Sequence, residues 1–299
     1  MKTKVLITID TEFSSHKDGM GIFGNIAGKF YGIPLFMQLA RKYNIKFTFF
    51  VDVYGVREIF KKEFIKICNE LIVEGHELQL HTHPDGLFDK NRGKLCLYSL
   101  AEQIQIIKKG KELFESWFRI SPLAHRAGDW GANNDTLIAL LKNGIRLDSS
   151  MFAGYKYCEL SRNSSLVQSK GIIELPPSTY KINGLKIFNN GKLLSTNGNP
   201  LSEILYVLEN KIKERVPIIN FVYHSFSFLK WNKKRTKYEF SKNEIAKFEV
   251  LLNIISKNSN LEPTLLRTLN VEKYLNANDK EISTGLVYFI PRLLDRMKH

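Results

Sequence analysis

Seven short runs of apolar and β-branched residues recur along the chain and predict buried strands. Between most of them, apolar residues return every three or four positions, as on one face of an amphipathic helix. The predicted strands cover roughly residues 4–9, 46–52, 77–83, 121–127, 145–150, 172–176 and 217–224, and the predicted helices 57–74, 99–118, 134–142 and 242–257. Strands that alternate with helices indicate parallel pairing. We therefore predict an α/β fold with one distorted barrel domain over residues 1–299, in which 230–299 supply a basic loop, a last helix and a tail.

The first predicted strand runs directly into two carboxylates. Val5-Leu6-Ile7-Thr8-Ile9 is apolar or β-branched throughout, and Asp10-Thr11-Glu12 follows it. Asp10 and Glu12 share a face, because side chains two positions apart on a strand point the same way. Carboxylates beside a buried strand are costly to desolvate unless they bind a cation or accept hydrogen bonds. A solvated turn at the strand end is the alternative interpretation of this pair taken alone.

The third predicted strand ends in two histidines. His81-Thr82-His83 is closed by Pro84, and the same period of two brings both imidazoles to one face. Converging imidazoles suit a divalent transition metal such as zinc. Taken alone, the pattern also fits one core histidine and one surface histidine.

Polar residues at the ends of several predicted strands favour the metal interpretation. In barrels of alternating strands and helices, the carboxyl ends of the strands meet at one mouth, where the chemistry takes place. Chance would scatter polar groups over both ends of the barrel, so we predict one site at the mouth. The groups are Asp10 and Glu12 after the first strand, His81 and His83 after the third, His125 and Arg126 after the fourth, Asp148 after the fifth and His224 after the seventh.

Composition narrows the class of protein. The chain has 299 residues, 43% of them hydrophobic, so it can bury a large core, and no apolar run is long enough to cross a bilayer. A secretory leader is not expected, because the candidate site begins at Asp10. The three cysteines are widely spaced and predict neither a disulfide framework nor a zinc knuckle. We expect a cytoplasmic protein.

The net charge of +14 suggests an anionic partner. Part of the excess lies in segment 230–242, where six basic residues accompany one acidic residue, Glu239; a solvated loop is the default interpretation. No helix-turn-helix, zinc-finger or RNP-like motif goes with this segment, so nucleic-acid binding is not expected. Apolar residues 286–290, with Arg292 and Arg296 nearby, predict a packed terminal segment, or alternatively peripheral contact with an anionic membrane at its inner face.

A glycine-rich motif follows the first strand. Gly19-Met20-Gly21-Ile22-Phe23-Gly24 matches GxGxxG, but it begins nine residues after Asp10, and Asn44 stands where a dinucleotide fold needs an acid. We therefore predict a flexible loop over the site rather than a dinucleotide site.

Taken in order, these motifs resemble the polysaccharide deacetylase superfamily (NodB-homology, carbohydrate esterase family 4-like). The match consists of Thr-Ile-Asp-Thr-Glu at a strand end, Gly-His-Glu-Leu-Gln-Leu-His-Thr-His-Pro, an arginine motif, Asp-Ser-Ser and a late strand ending in histidine, across about 1–225. The resemblance implies a distorted (β/α)7 barrel, a divalent metal ion, most simply zinc, and N- or O-deacetylase activity on sugars.

The resemblance also implies roles for individual residues. Asp10 resembles the catalytic base, Arg126 the arginine that holds this base, and His224 the general acid. Glu12 stands near the metal-binding aspartate of the family, displaced by one residue, and His81 matches the first metal-binding histidine.

Two departures from the family pattern suggest a divergent branch with an unusual substrate, or alternatively an inactive relative. The second metal-binding histidine of the family comes four residues after the first, where this chain has Asp85; we predict that His83 replaces it, with Asp85 as the alternative. The usual Arg-x-Pro-Tyr is Arg126-Ala127-Gly128-Asp129 here, so the tyrosine of that motif is missing.

The basic segment suggests the kind of substrate. Trp231 and Tyr238 could stack on a sugar while Lys233, Lys234 and Arg235 contact phosphate. The predicted partner is thus an acetylated sugar or saccharide carried on a diphosphate, as in precursors of cell-envelope glycans. The alternatives are a hydrolase of the same fold that cleaves a non-sugar amide, and a non-catalytic carbohydrate-binding barrel. A glycosidase fits less well, because no second acidic residue convincingly ends a strand.

Overall fold

Seven parallel strands form one curled sheet. The computed structural model of the protein describes residues 2–13, 19–160, 171–182, 191–232, 237–270 and 282–284. The strands lie in the order β7-β1-β2-β3-β4-β5-β6, and each neighbouring pair is parallel. Their bounds are β1 Thr3–Thr11, β2 Thr48–Asp52, β3 Glu77–Thr82, β4 Ala124–Ala127, β5 Leu147–Asp148, β6 Ile173–Glu174 and β7 Ile218–His224. A further strand, β8 (Leu261–Pro263), pairs in parallel with the start of β1.

The barrel closes irregularly between β6 and β7. These two strands form the edges of the sheet, and the segment after β6 bridges them. Ser178 donates its backbone N–H to the carbonyl oxygen of Asn220 at 2.9 Å. In return, the backbone N–H of Asn220 donates to Ser178 Oγ at 3.0 Å. The predicted distorted (β/α)7 barrel is therefore confirmed, with its seam at β6 and β7.

Helices cover the outside of the sheet. Four of them match the predicted helices to within about a residue, and α1 and α5 were not predicted. Within the described ranges, no helix is both long and apolar enough to span a bilayer. The helices are α1 Ile33–Tyr43, α2 Glu58–Val73, α3 Leu100–Phe118, α4 Asn134–Lys142, α5 Leu201–Lys213 and α6 Lys242–Lys257.

Two hairpins, a three-stranded sheet and several single helical turns lie outside the main sheet. One hairpin pairs Asn25–Ile26 with Lys29–Phe30, and another pairs Leu229–Trp231 with Tyr238–Phe240. A separate three-stranded sheet joins Thr179–Ile182, Lys192–Leu193 and Ile282–Thr284. Single helical turns occur at Met20–Phe23, Pro84–Gly86, Leu95–Leu97, Gly128–Trp130 and Leu266–Thr268.

The glycine-rich segment is folded, so the predicted flexible loop was wrong for residues 19–32. These residues form the turn Met20–Phe23 and the first hairpin, which lead directly into α1. A Cβ on Gly32 would lie 2.1 Å from the carbonyl oxygen of Ile22, so only glycine allows this backbone contact. The glycines therefore serve close packing between the turn and α1.

An apolar cluster lies inside the barrel below the polar residues of the mouth. Leu6, Phe50, Ala124, Leu147, Leu175 and Leu266 form a small core inside the barrel, separate from the larger core beneath the helices. Thr8 and Asn220 lie above this inner core, where Thr8 donates its hydroxyl to Asn220 Oδ1 at 3.0 Å. Along β1, the side chains that face the barrel interior thus become polar at Thr8, one layer above Leu6.

Glu77 holds the base of the barrel closed. Its buried carboxylate accepts the backbone N–H groups of Leu266 at 2.7 Å and Arg267 at 2.9 Å. It also accepts the hydroxyl of Thr48 at 2.9 Å and the amide of Gln79 at 2.8 Å. The Glu77 side chain therefore links β2, β3 and the turn Leu266–Thr268 at the base of the barrel.

We expect Glu77→Ala to lower the free energy of unfolding by about 3 kcal/mol or more, because four donors, three of them in buried hydrogen bonds, lose their acceptor. Glu63→Ala, at an exposed position of α2, is the matched control and should change it by no more than about 0.5 kcal/mol. Urea denaturation measures both values. Equal effects of the two substitutions would contradict this role of Glu77.

Candidate metal centre

Strand register brings the predicted residues to one end of the barrel. Asp52 at the end of β2 lies opposite His81 of β3, and His81 lies opposite Arg126 of β4. One layer deeper, Asp10 of β1 lies opposite His224 of β7. Residues opposite each other on parallel strands face the same side of the sheet, so these side chains share the barrel mouth.

Glu12 and the two histidines of β3 form a compact group. Glu12 Oε2 lies 2.5 Å from His83 Nε2 and 3.4 Å from His81 Nε2. One ligand atom from each of the three residues lies within 4.8 Å of the other two. Among the described residues, no other histidine, cysteine or carboxylate group of three meets this distance. His224 lies at the edge, with Nε2 3.7 Å from Glu12 Oε1.

His81 is arranged as a metal ligand. Its Nδ1 lies 2.9 Å from the carbonyl oxygen of Arg126, which can only accept, so Nδ1 carries the proton. In the neutral ring, Nε2 then presents a lone pair to the group. This atom is buried and has no hydrogen-bond partner within the described part of the chain. Metal-binding histidines commonly donate their second N–H to a carbonyl in this way, so the residues present fit a divalent ion.

The ring of His83 occupies space that a glycine leaves open. A Cβ on Gly128 would lie 2.6 Å from both Cε1 and Nδ1 of His83. Gly128 follows β4 at the position where the resembled motif has proline. Because any side chain there would clash with the His83 ring, the glycine at this position allows His83 to join the group. Asp85, the alternative ligand, is not part of the group and lies in the turn Pro84–Gly86.

Without an ion, the group behaves as a buried ion pair. Burial opposes the charged form of Glu12, but the imidazoles of His83, His81 and His224 outweigh it and hold the pKa of this carboxyl well below its usual range. Burial likewise opposes the charged form of His83. The carboxylates of Glu12, Asp52 and Asp129 outweigh it and raise the pKa of His83 to about 10.

Arg126 fixes Asp10. The guanidinium is fully buried and donates from Nη1 to Asp10 Oδ1 at 2.6 Å. Its Nη2 donates to Thr8 Oγ1 and Ser149 Oγ, both at 3.0 Å, and its Nε donates to the Ser149 carbonyl at 3.2 Å. The ring of Phe50 lies beneath, 4.1 Å from Cζ. Asp10 therefore has a fixed position two residues before Glu12 on the same strand.

Asp52 is a residue of the site that the sequence analysis missed. It ends β2 as Asp10 and Glu12 end β1, so the same criterion could have found it. Its carboxylate accepts backbone N–H groups from Tyr54 and Gly55 at 3.0 Å and from His83 at 3.4 Å. Burial raises its pKa. The expectation that no second acidic residue ends a strand was therefore wrong, although this carboxylate is engaged in shaping two turns.

His125 and Asp148 do not join the site. They lie on the face of the sheet opposite to Arg126, and His125 Nδ1 is 2.9 Å from Asp148 Oδ1. The other ring nitrogen, Nε2, is 2.9 Å from Thr82 Oγ1. Alternation along β4 explains this, since adjacent residues on a strand point to opposite faces. Both side chains are fully buried and bond locally.

Several predicted contacts lie outside the described residues. These are Lys233, Lys234 and Arg235 of the basic segment and the tail 286–296. Tyr238 lies in the described hairpin with Leu229–Trp231, which follows β7. The proposed phosphate contacts of the basic segment therefore stay a prediction.

Solved structures share this architecture over nearly the whole chain. A protein assigned as a polysaccharide deacetylase from Mycobacterium smegmatis superposes with a TM-score of 0.60 at 16% identity, covering 95% of this chain and 93% of that one. The chain has the fold of the polysaccharide deacetylases. No family model and no curated protein matches the sequence.

The same fold also carries other activities. The allantoinase PuuE superposes with a TM-score of 0.58 at 9% identity, covering 92% of this chain and 91% of its own. A 4-α-glucanotransferase from Thermococcus litoralis gives 0.56 at 12% identity, covering 95% of this chain but 42% of the transferase. Fold likeness alone does not distinguish these activities, which depend on the side chains at the barrel mouth.

We expect Gly128→Ala to weaken zinc binding about 10- to 100-fold, because the new methyl group displaces the His83 ring. Calorimetric titration with zinc measures the affinity. The double variant Gly128→Ala/His83→Ala tests the cause: it should bind zinc as weakly as His83→Ala alone. Additive losses would show that Gly128 acts by another route.

Zinc affinity should rise with pH. Below about pH 10 the imidazole of His83 is protonated in the metal-free protein, and a zinc ligand must be neutral. We expect release of about one proton per zinc from His83, and an affinity that increases roughly tenfold per unit between about pH 7 and pH 9. Titrations in buffers of different ionisation enthalpy count the protons. An affinity that is constant over this interval would contradict the assignment of His83.

Proposed function

We propose that the protein is a metal-dependent hydrolase that removes an acetyl group from an N-acetylated or O-acetylated sugar. The observation that carries the proposal is the group of Glu12, His81 and His83 with an unpartnered His81 nitrogen, next to a carboxylate held by a buried arginine. Deacetylase activity of the resembled superfamily and the shared fold support the sugar substrate.

Glu12, His81 and His83 would hold the ion. Three protein ligands of nitrogen and oxygen type are a common catalytic zinc set that leaves a coordination position open. An ion bound there supplies a Lewis acid, which polarises the acetyl carbonyl oxygen and lowers the pKa of water. The identity of the ion as zinc is part of the proposal.

Asp10 acts as the general base. Arg126 holds Oδ1 in a charge-assisted hydrogen bond of 2.6 Å and so orients the carboxylate toward the mouth. Asp10 would take the proton of the attacking water.

His224 acts as the general acid. It ends β7, directly beside β1, and its ring lies on the Glu12 side of the group with about a third of the side chain exposed. An imidazole at the edge of a mouth can reach a leaving amine or alcohol and donate a proton to it. Base and acid thus come from neighbouring strands.

The proposed substrate is a saccharide of cell-envelope glycan synthesis, carried on a diphosphate and met in the cytoplasm or at the inner face of the membrane. Support for the diphosphate is the net charge of +14 and the basic composition of segment 230–242, which follows β7 and the mouth.

A second candidate is hydrolysis of a non-sugar amide. The specific observation in its favour is the superposition on the allantoinase, whose TM-score of 0.58 is close to the 0.60 of the deacetylase. Acetate separates the two activities, because only a deacetylase releases it.

The test compares two neighbouring substitutions, His83→Ala and Asp85→Ala. We expect the wild-type protein to release acetate from N-acetylglucosamine saccharides in the presence of zinc. His83→Ala should lose bound zinc and at least about 100-fold of the acetate release, because the ligand set is broken. Asp85→Ala should keep both properties within about twofold, because Asp85 is outside the group.

Zinc content is measured by elemental analysis and acetate by an enzyme-coupled assay. Loss of zinc from Asp85→Ala but not from His83→Ala would reverse the ligand assignment. Bound zinc without acetate release from N- or O-acetylated sugars would instead leave the amide hydrolase as the better candidate.

A further inference from the structure

The loop between β3 and α3 exposes large apolar side chains beside the candidate metal centre. This segment, residues 84–99 and called the mouth loop below, begins directly after His83. Because it follows the carboxyl end of a parallel strand, it lies at the mouth of the barrel. Leu87 is 52% exposed, Phe88 40% and Leu97 45%. Single exposed apolar residues are ordinary on protein surfaces, but several on one loop indicate an interaction site.

Hydrogen bonds hold the mouth loop in a defined shape. The Phe88 N–H donates to the Pro84 carbonyl at 2.8 Å. The two arms of the loop meet where the Asp89 N–H donates to the Tyr98 hydroxyl at 3.3 Å and this hydroxyl donates to the Asp89 carbonyl at 3.4 Å. Phe88 and Leu97 directly precede these two residues, so they lie on either side of one contact. Their exposure is therefore a property of the folded loop.

The mouth loop also packs against the loops on both sides of it. A Cβ on Gly86 would lie 2.5 Å from the carbonyl oxygen of Tyr54, and the ring of Phe88 lies edge-on to the Tyr54 ring at 5.5 Å. Toward β4, the Cys96 N–H donates to the Gly131 carbonyl at 3.0 Å. Collapse of the loop onto the barrel, which could bury its apolar side chains, would have to break these contacts.

Exposed cations lie on several loops of the mouth. Within the mouth loop three basic residues accompany two acidic ones, and segment 230–242, which follows β7, holds six against one. The net charge of the whole chain has the same sign, at +14. The exposed lysines described on these loops and on the loop after β5 are Lys90, Lys156, Lys230 and Lys237.

The combination of apolar and basic side chains fits the surface of an anionic bilayer. Apolar side chains enter the boundary between head groups and acyl chains, and basic side chains meet the lipid phosphates. A second copy of the chain fits this surface less well, because its cations would face like charges. The sign of the charge thus favours a lipid surface over self-association.

We propose that the mouth loop docks the barrel mouth on an anionic membrane, with Leu87, Phe88 and Leu97 in the interface. The inference rests on the proposed function for its meaning and extends it, because a mouth that faces the bilayer meets a saccharide whose diphosphate is attached to a lipid. Vesicle binding needs no turnover, so the docking surface and the hydrolase can be tested separately.

The test measures sedimentation with vesicles of phosphatidylcholine that contain about one third phosphatidylglycerol. Leu87→Asn/Leu97→Asn should weaken binding about tenfold or more, because two apolar side chains no longer enter the interface. Val73→Asn/Leu123→Asn is the matched control: these residues are 86% and 46% exposed at the other end of the barrel, and binding should stay within about twofold. Zinc content and urea denaturation check that both variants keep the fold.

Several results would overturn the docking surface. These are a wild type that does not sediment with the anionic vesicles, equal binding by both double variants, and a loss of binding confined to the control. Ultracentrifugation that shows a dimer dissolved by Leu87→Asn/Leu97→Asn, without vesicle binding, would overturn it in favour of a second copy.

Acetate release from water-soluble N-acetylglucosamine saccharides is measured in parallel. Vesicle binding that depends on Leu87 and Leu97, without acetate release, supports the docking surface and removes the proposed function. Acetate release by a wild type that does not bind vesicles supports the function and overturns the docking surface.

Discussion

A fully buried guanidinium needs acceptors for its N–H groups, and for Arg126 these acceptors lie on β1 and directly after β5. It bonds Thr8 and Asp10 on β1 and Ser149 just after β5, above the ring of Phe50. Its own carbonyl accepts the proton of His81 Nδ1. A buried charge without such partners would cost several kcal/mol, so the surrounding strands cannot shift independently. The position of the candidate base and the orientation of one candidate ligand therefore depend on the same residue.

The metal group is assembled from short-range and long-range parts. His81 and His83 meet because a strand alternates, but Glu12 reaches them from β1, with β2 between the two strands. His83 also needs the empty space beside Gly128, and its backbone N–H is held by Asp52. The second histidine thus lies at a different position along the chain than in the resembled family pattern. The loop after β4 carries a matching change, because Gly128 leaves the space that the His83 ring fills. The site differs from the resembled family pattern as a connected set rather than at isolated positions.

In barrels of this kind, the fold alone does not determine which reaction the site catalyses. The structures that superpose here carry the names of a deacetylase, an allantoinase and a glucanotransferase, at nearly equal TM-scores. The ends of the strands converge at the mouth of the barrel, and the residues on the loops after the strands determine the chemistry. In this chain the loop after β4 places the Trp130 ring 5.4 Å from the guanidinium carbon of Arg126, and Phe152 of the loop after β5 packs against Trp130.

Local patterns in the sequence determined the strands, four of the helices and the set of polar residues at strand ends, because periods of two and 3.6 are properties of short segments. They could not reveal α1, which follows a glycine-rich stretch whose glycines serve backbone packing. Nor could they decide between His83 and Asp85, or show that His125 and Asp148 face away from the mouth. These choices depend on which strands are neighbours and in which register, and on space left by a glycine far along the chain. Only the closed barrel brings residues 12, 81, 126 and 224 together, and so only the tertiary structure decided the site.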